Sequence, residues 1–320
     1  MQGLVLEELV AYALINRNIR YYDSSVITVG IHGGPRGSHE PGVALVVDGK
    51  VKFALQEERL NRFKSSISCF PIKSLNSLVE NTGISIEEVY QMCFAGETYD
   101  DMKLRWPSCV LHNFGSLPKK FVPLHHQVAH ATSGFYTSGL DDSLLVSLDG
   151  LGDRTCGLVA RGRSETFSKG AGGITPLTFL SDPLKQSIGF FWALVTQLIG
   201  YEPLEESYKT MVLACYGKPT FPLECVLDLD SESGFPRLAD WAVEDKNTFI
   251  SKHPTERVYK SDIEERLGFT RRVPGQEVRE QDADLAASAQ LHLENVILAF
   301  LSFGRRKQAR EILYLAAESR

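Results

Sequence analysis

A buried strand, an acidic glycine-rich turn and a second strand form the feature that most constrains this chain. The apolar run Ser143–Leu148 leads into residues 149–153 (Asp-Gly-Leu-Gly-Asp), and Thr155–Ala160 resumes an extended pattern. Such a turn closes a β-hairpin. Its aspartate can supply a hard oxygen ligand, and its glycine amides can approach an anion closely because no Cβ intervenes. The pattern predicts a loop that holds metal and phosphate together, with a plain acidic hairpin turn as the alternative.

The surrounding sequence alternates short apolar strands with amphipathic helices, which predicts an α/β fold with a mixed sheet. Predicted strands cover Val26–Ile31, Gly42–Val47, Val51–Leu55, Met92–Ala95 and Ile312–Ala316. Predicted helices cover residues 71–82, 125–136, 184–200 and 284–303. Residues 1–25 form an expected N-terminal helical extension, residues 26–320 form the expected main domain, and within it residues 226–280 are polar and irregular.

Composition excludes several functional classes. The chain has 34 Lys and Arg residues against 40 Asp and Glu, a net charge of −6, so we expect no nucleic-acid partner. Six cysteines without a C-x-x-C pair indicate reduced thiols and a cytoplasmic protein. The apolar run Leu9–Ile15 is too short to span a bilayer and follows two glutamates, so no export or membrane anchoring is expected.

The clearest candidate metal ligands are two histidines in the run His125–His130. On a helix, His126 and His130 are four residues apart and share one face, so both imidazoles can bind one ion. A metalloprotease needs Glu beside the first ligand, and Gln127 stands there, which disfavours that chemistry. The alternative is a pair of packed helix histidines.

Two charged segments contain further candidate functional residues. Glu205 and Lys209 lie four apart where the sequence turns from polar to apolar, which also fits a solvated helical ion pair. The run Gln56–Lys64 follows the third predicted strand and also fits a charged surface helix.

Taken in order, these blocks resemble the NodU/CmcH family of O-carbamoyltransferases. The resemblance rests on six blocks, which are His39–Gly49, Glu57–Lys64 with Phe70-Pro71, His125–His130, Asp149–Asp153, Tyr208–Gly217 and Asp284–Gln290. It implies an actin-like ATPase fold, also called ribonuclease H-like. It also implies a two-part reaction, in which a YrdC-like domain makes carbamoyl-adenylate from carbamoyl phosphate and ATP, and the actin-like domain transfers the carbamoyl group to a small-molecule alcohol.

The resemblance implies a role for each candidate residue. His126, His130 and Asp149 become ligands of a divalent metal, with Fe²⁺ expected and Zn²⁺ or Mn²⁺ as alternatives. His39 becomes the general base that takes the proton of the acceptor hydroxyl. The residues expected to bind substrate or phosphate are Lys64, Gly150, Gly152, Asp153, Glu205 and Lys209.

The sequence also departs from the family pattern. Family members continue past the strand matching Ile312–Ala316 with a glycine pair, a nucleotide-contacting lobe and the YrdC-like domain, whereas this sequence ends at Arg320. The resemblance therefore implies an incomplete second lobe, an enzyme incomplete on its own, and a partner chain or a homo-oligomer. The alternatives are a non-catalytic fragment or partner-binding pseudoenzyme of the same fold and, less favoured, a sugar-kinase-like ATPase.

Overall fold

The structure is a computed structural model that describes residues 26–35, 39–164, 173–203, 206–242, 259, 262–308 and 312–317. The strands are β1 Ile27–His32, β2 Gly42–Val47, β3 Lys50–Gln56, β4 Gln91–Ala95, β5 Phe121–Leu124, β6 Asp142–Gly152, β7 Thr155–Arg163, β8 Ile174–Leu180, β9 Leu227–Leu229, β10 Pro236–Leu238 and β11 Ile312–Ala317. The helices are α1 Glu58–Asn61, α2 Ile72–Thr82, α3 Asp100–Phe114, α4 His126–Ser138, α5 Pro183–Gln186, α6 Ile188–Leu198, α7 Ser207–Ala214, α8 Ile263–Leu267 and α9 Glu280–Gln308. The predicted N-terminal helical extension lies outside the described residues.

The chain divides into two compact units. The first comprises Met1–Val146 and Val159–Leu177, and the second comprises Ser147–Leu158 and Thr178–Arg320. The division falls within three strands, β6, β7 and β8. Each unit has its own set of helices.

The first unit contains a five-stranded mixed sheet with the order β3-β2-β1-β4-β5. The first three strands pair antiparallel, and β4 and β5 add in parallel. The two-residue turn between β2 and β3 holds Asp48 and Gly49 at positive φ, which hairpin turns require. Valine, leucine and isoleucine side chains of β1 and β2 are buried against α2 and α3, and Trp106 is buried in the same cluster. The predicted mixed sheet of an α/β fold is confirmed.

A second sheet has the order β11-β6-β7-β8. The predicted hairpin is present, and its strands extend beyond the prediction to Asp142–Gly152 and Thr155–Arg163. Asp153 and Arg154 form the two-residue turn, with φ of 49° and 65°. Positive φ at both positions is the geometry that a type I′ hairpin turn requires.

The second unit is built on helices α6, α7 and α9. Every residue of α6 is buried, and α9 packs against both α6 and α7. The prediction of one helix over 184–200 is wrong in one respect, because the chain breaks at Ser187, whose extended backbone separates α5 from α6. Ser187 is the N-cap of α6, since its hydroxyl accepts the Phe190 amide at 3.0 Å.

The segment predicted to be irregular, 226–280, contains a small hairpin of β9 and β10 and the short helix α8. Within the described residues, the stretch Glu280–Phe303 of α9 is long and apolar enough to cross a membrane by length and composition. Its alanine-rich face is buried, while Leu291 and Leu298 are exposed. The cytoplasmic compartment stays a prediction.

Candidate functional site

The two predicted metal-ligand histidines stand together on α4 of the first unit. His125 caps this helix, because its Nδ1 accepts the Gln127 amide at 3.3 Å. His126 and His130 follow one turn apart, and their Nε2 atoms are 2.8 Å apart. His130 is buried and His126 is half-buried. The helix therefore directs two imidazole nitrogens at one point, as the spacing predicted.

Asp149 lies on β6 in the part of the strand that belongs to the second unit, and its side chain is buried. One carboxylate oxygen, Oδ1, accepts the amide of Gly150 at 2.5 Å. The hydroxyl of Ser187 donates to the carbonyl oxygens of Asp149 at 3.1 Å and of Gly150 at 2.8 Å. The N-cap of α6 thus fixes the backbone that carries this carboxylate.

Helix α6 approaches this backbone more closely than a side chain would allow. A Cβ added to Gly189 would lie 2.5 Å from the Cα of Gly150, whereas a Cβ on Gly150 would meet open space. Glycine is therefore required at 189 rather than at 150.

The remaining residues of the acidic turn have structural roles in the hairpin. The carbonyl of Gly152 accepts the Thr155 hydroxyl at 3.0 Å, and Asp153 is buried with a left-handed backbone. The predicted phosphate contact of Gly150, Gly152 and Asp153 stays a prediction.

His39 and Lys64 are brought close by the backbone of the first unit. The amide of Glu40 donates to the carbonyl of Ser65 at 2.6 Å, which ties the His39 segment to the Lys64 segment. The His39 carbonyl lies 3.0 Å from His32 Nε2. Lys64 projects into solvent with 71% of its side chain exposed, and its ammonium is 3.4 Å from Glu58.

The segment around Lys64 has an unusual backbone. Arg62, Ser65, Ser66 and Ser68 all have positive φ, a conformation that non-glycine residues rarely adopt. A buried glutamate from the same charged run, Glu57, caps α2 by accepting the amides of residues 73 and 74. The run Gln56–Lys64 therefore contains a one-turn helix, Glu58–Asn61, with no buried residue, followed by a hydrogen-bonded loop, so the surface-helix alternative holds for its helical part.

Lys209 lies on α7 of the second unit, and its ion pair is with Glu206. The predicted partner, Glu205, lies outside the described residues. Hydrogen bonding to Glu206 raises the pKa of the Lys209 ammonium. The pKa of Glu206 is lowered even though its partial burial acts in the opposite direction, because the Glu202 amide and Lys209 donate to its carboxylate and Arg272 adds positive charge nearby.

Three residues that were not predicted support these groups. Ser187 holds the Asp149 backbone, Tyr201 contacts Lys209 through its ring, and Arg272 stacks on that ring. Ser187 carries a sequence signal, since a serine directly before an apolar helix is a typical N-cap. Tyr201 and Arg272 are far apart in the sequence, and nothing in their spacing indicates that they meet.

Comparison with known proteins identifies the family. The sequence profile described as carbamoyltransferase N-terminus matches residues 110–317, which include α4, the acidic hairpin and α7. The chain belongs to this carbamoyltransferase family. The NodU/CmcH-type resemblance of the sequence is thereby confirmed.

Curated relatives support this membership. The chain is 30% identical over 202 residues to nodulation protein NolNO of Sinorhizobium fredii, covering 57% of this chain and 28% of that protein. It is 36% identical over 95 residues to nodulation protein NolO of Bradyrhizobium diazoefficiens, covering 30% of this chain and 15% of that protein. It is 27% identical over 300 residues to the uncharacterized protein sll1178 of Synechocystis, covering 81% of this chain and 46% of that protein. The chain thus spans less than half the length of these relatives.

Among solved structures, YeaZ from Pseudomonas aeruginosa matches 49% of this chain and 68% of its own. The TM-score is 0.31 and the sequence identity is 9%.

Family membership supports carbamoyl transfer as the general chemistry.

Proposed function

We propose that this chain is the transfer domain of an O-carbamoyltransferase with an actin-like, ribonuclease H-like fold. It moves a carbamoyl group from carbamoyl-adenylate, derived from carbamoyl phosphate and ATP, to the hydroxyl of a small alcohol. The observation that carries this proposal is the family match over residues 110–317, with the converging imidazoles of α4 inside it. The adenylating YrdC-like domain that the resemblance implies would supply the activated donor.

The donor atoms suit a divalent metal ion. Two imidazoles from His126 and His130 and a carboxylate from Asp149 would supply the ligand type found in non-haem Fe(II) sites, and Zn²⁺ and Mn²⁺ accept the same donors. The 2.8 Å approach of the two Nε2 atoms fits this use, because two ring nitrogens this close need a shared proton or cation between them. When bound, the metal would polarise the carbamoyl carbonyl as a Lewis acid.

The chain's own residues would carry the other steps. His39 would accept the proton of the acceptor hydroxyl as its oxygen forms a bond to the carbamoyl carbon. The bond from that carbon to the phosphate oxygen of the adenylate would break, releasing AMP. Lys64 and Lys209 would neutralise the negative charge on the phosphate oxygens. Both lysine side chains are exposed, so their ammonium groups are accessible to a ligand.

A metal-binding comparison tests the site. The wild-type chain is prepared without oxygen, supplied separately with Fe²⁺, Zn²⁺ and Mn²⁺, and analysed for bound metal after desalting. We expect about one ion per chain in the wild type and a loss of at least about tenfold in affinity for His126→Ala with His130→Ala, and for Asp149→Asn. His112→Ala, an exposed histidine on α3, is the matched control. Equal trace metal in all variants would reduce the histidines to packing residues.

A transfer assay tests the chemistry. The metal-loaded chain is mixed with carbamoyl-adenylate and a panel of sugars and simple alcohols, and products are detected by the mass gain of one carbamoyl group. We expect AMP release that depends on the acceptor and is reduced by about a hundredfold or more in His39→Ala, because general base catalysis contributes at this level. Acceptor-independent AMP release at the same rate in wild type and His39→Ala would contradict the proposal.

A further inference from the structure

We infer that Tyr201 and Arg272 are positioning residues that hold the Lys209 ammonium in place for a phosphate-bearing substrate. This inference rests on the phosphate role proposed for Lys209. All three residues belong to the second unit, so their contacts lie inside one compact body.

The Lys209 side chain is restrained on two sides. Its ammonium lies 5.3 Å from the centre of the Tyr201 ring, within the range of a cation–π interaction. It also pairs with the carboxylate of Glu206, which is itself held because it accepts the Glu202 amide at 2.9 Å. A lysine with a flexible four-carbon stem and 37% exposure would otherwise sample many rotamers. The ring and the carboxylate together define one position for its charge.

The Tyr201 ring is itself held by Arg272. The guanidinium carbon lies 4.7 Å from the ring centre, and the side chain is 3% exposed. Its Nε donates to the carbonyl of Ile199 at 2.7 Å, and its Nη1 donates to the carbonyl of Gln276 at 2.7 Å. These bonds fix the plane of the guanidinium and therefore the surface on which the ring rests.

The backbone anchors this arginine at the end of α6. The Arg272 amide donates to the carbonyl of Leu198 at 3.1 Å. A Cβ on Gly200 would lie 2.6 Å from the Arg272 carbonyl oxygen, and Gly200 has a φ of +79°, so glycine is required there. Arg272 therefore has a fixed position relative to the residue directly after Gly200, which is Tyr201.

The consequence for binding is preorganisation. When the Lys209 side chain is already restrained, binding of a ligand does not have to order it. Less of the interaction free energy is then lost on binding. The charged and titratable groups that face Lys209 are Glu206, Tyr201 and Tyr208, and hydrogen bonding to Glu206 raises its pKa. The ammonium is therefore fully charged at neutral pH.

Phosphate binding by the full chain tests the inference, with inorganic phosphate and AMP as separate probes. We expect Lys209→Met to weaken binding by about tenfold, since it removes a charge-assisted contact. Tyr201→Leu should weaken binding by about two- to fivefold, and Tyr201→Phe should leave it unchanged because the ring face remains. Trp241→Leu is the matched control, because Arg266 stacks on Trp241 at 4.5 Å without contact to this lysine.

A spectroscopic readout separates positioning from general stability. The signals of the Lys209 side chain are followed by NMR through a pH titration in the wild type and both Tyr201 variants. We expect the pKa of Lys209 to fall in Tyr201→Leu and to fall less in Tyr201→Phe, which keeps the ring face and loses only the titratable hydroxyl. Arg272→Lys keeps the positive charge but loses the planar guanidinium that stacks on the Tyr201 ring. It should therefore lower the pKa of Lys209 as Tyr201→Leu does.

The outcomes are distinguishable. If Lys209→Met weakens phosphate binding while Tyr201→Leu changes neither the affinity nor the Lys209 titration, the positioning role is wrong and the proposed function stands. If Lys209→Met has no effect on either probe, the phosphate role of Lys209 is wrong. A shift of the Lys209 titration in Tyr201→Leu would then show that the Tyr201 ring contacts the ammonium without serving phosphate binding.

Discussion

At the residue scale, the Asp230 carboxylate shows how strongly local hydrogen bonds alter titration in this chain. Its Oδ1 accepts the amide and the hydroxyl of Ser233, each at 2.8 Å, and its Oδ2 lies 3.2 Å from Arg237 Nη1. These bonds lower the pKa of Asp230 to about 2, with the Ser233 amide as the largest cause. Since the folded pKa is depressed, its stabilising effect is present above the unfolded value of about 4 and is lost as pH falls toward 2.

Ser233→Ala is therefore expected to raise the pKa of Asp230 toward the ordinary aspartate value, because one of the bonds to the charged form is removed. Carboxyl ¹³C NMR through an acid titration measures this shift. Ser233→Thr keeps the hydroxyl and should titrate like the wild type. An unchanged Asp230 titration in Ser233→Ala would show that the side-chain hydroxyl contributes nothing.

Glycines give a second result at this scale. The sequence indicated Gly150 and Gly152 as residues that admit an anion, yet at this turn the close backbone approach that requires glycine is made by Gly189, which the motif did not include. Sequence alone could not show this, because the atoms that exclude a side chain at Gly189 belong to Gly150, which lies 39 residues earlier in a strand.

At the element scale, α9 holds the loop that follows α7. The hydroxyl of Ser288 accepts the amides of Thr220 at 2.9 Å and Phe221 at 3.0 Å, and Asp284 accepts the amide of Lys218 at 2.7 Å. A Cβ on Gly217 would lie 1.9 Å from the Ala283 carbonyl oxygen. The Asp284–Gln290 block that supported the family resemblance thus has a structural explanation, since its polar residues fix the end of the helix that carries Lys209.

Ser288→Ala is expected to destabilise the chain by about 1–2 kcal/mol, because two backbone amides lose their acceptor and solvent compensates only in part. The amides of Thr220 and Phe221 should exchange with solvent faster, as measured by hydrogen exchange. Gln290→Ala on the same helix removes a surface contact to Glu294 and should change neither property. Equal exchange rates in wild type and Ser288→Ala would contradict this role.

At the scale of the whole molecule, the proposed metal predicts a coupling between ligand binding and stability. A ligand that binds the folded state alone stabilises it by about 2.7 kcal/mol at a free concentration a hundred times its dissociation constant. Addition of Fe²⁺ without oxygen should therefore raise the melting temperature, and a chelator should reverse the change. The His126→Ala, His130→Ala double variant should show no such shift. A metal-induced rise of the same size in the double variant would place the binding elsewhere.

Much of the fold was predictable from local patterns. The hairpin of β2 and β3, helix α2 ending at Gly83, strand β4 and the histidine helix α4 appear where the sequence placed them. In each case the signal is local, as a two-residue turn, a C-terminal glycine or an apolar period. By contrast, α3 was not predicted, because Pro107 lies inside it and interrupts the helical pattern.

The sequence by itself determined the family, the mixed α/β class and the facing imidazoles of His126 and His130, since a helical repeat fixes which residues share a face. Tertiary structure alone decided the break at Ser187, the glycine required at position 189 and the contact of Arg272 with Tyr201. The physical reason is distance along the chain. Residues 71 positions apart meet only when separate elements pack, and no local periodicity encodes that meeting.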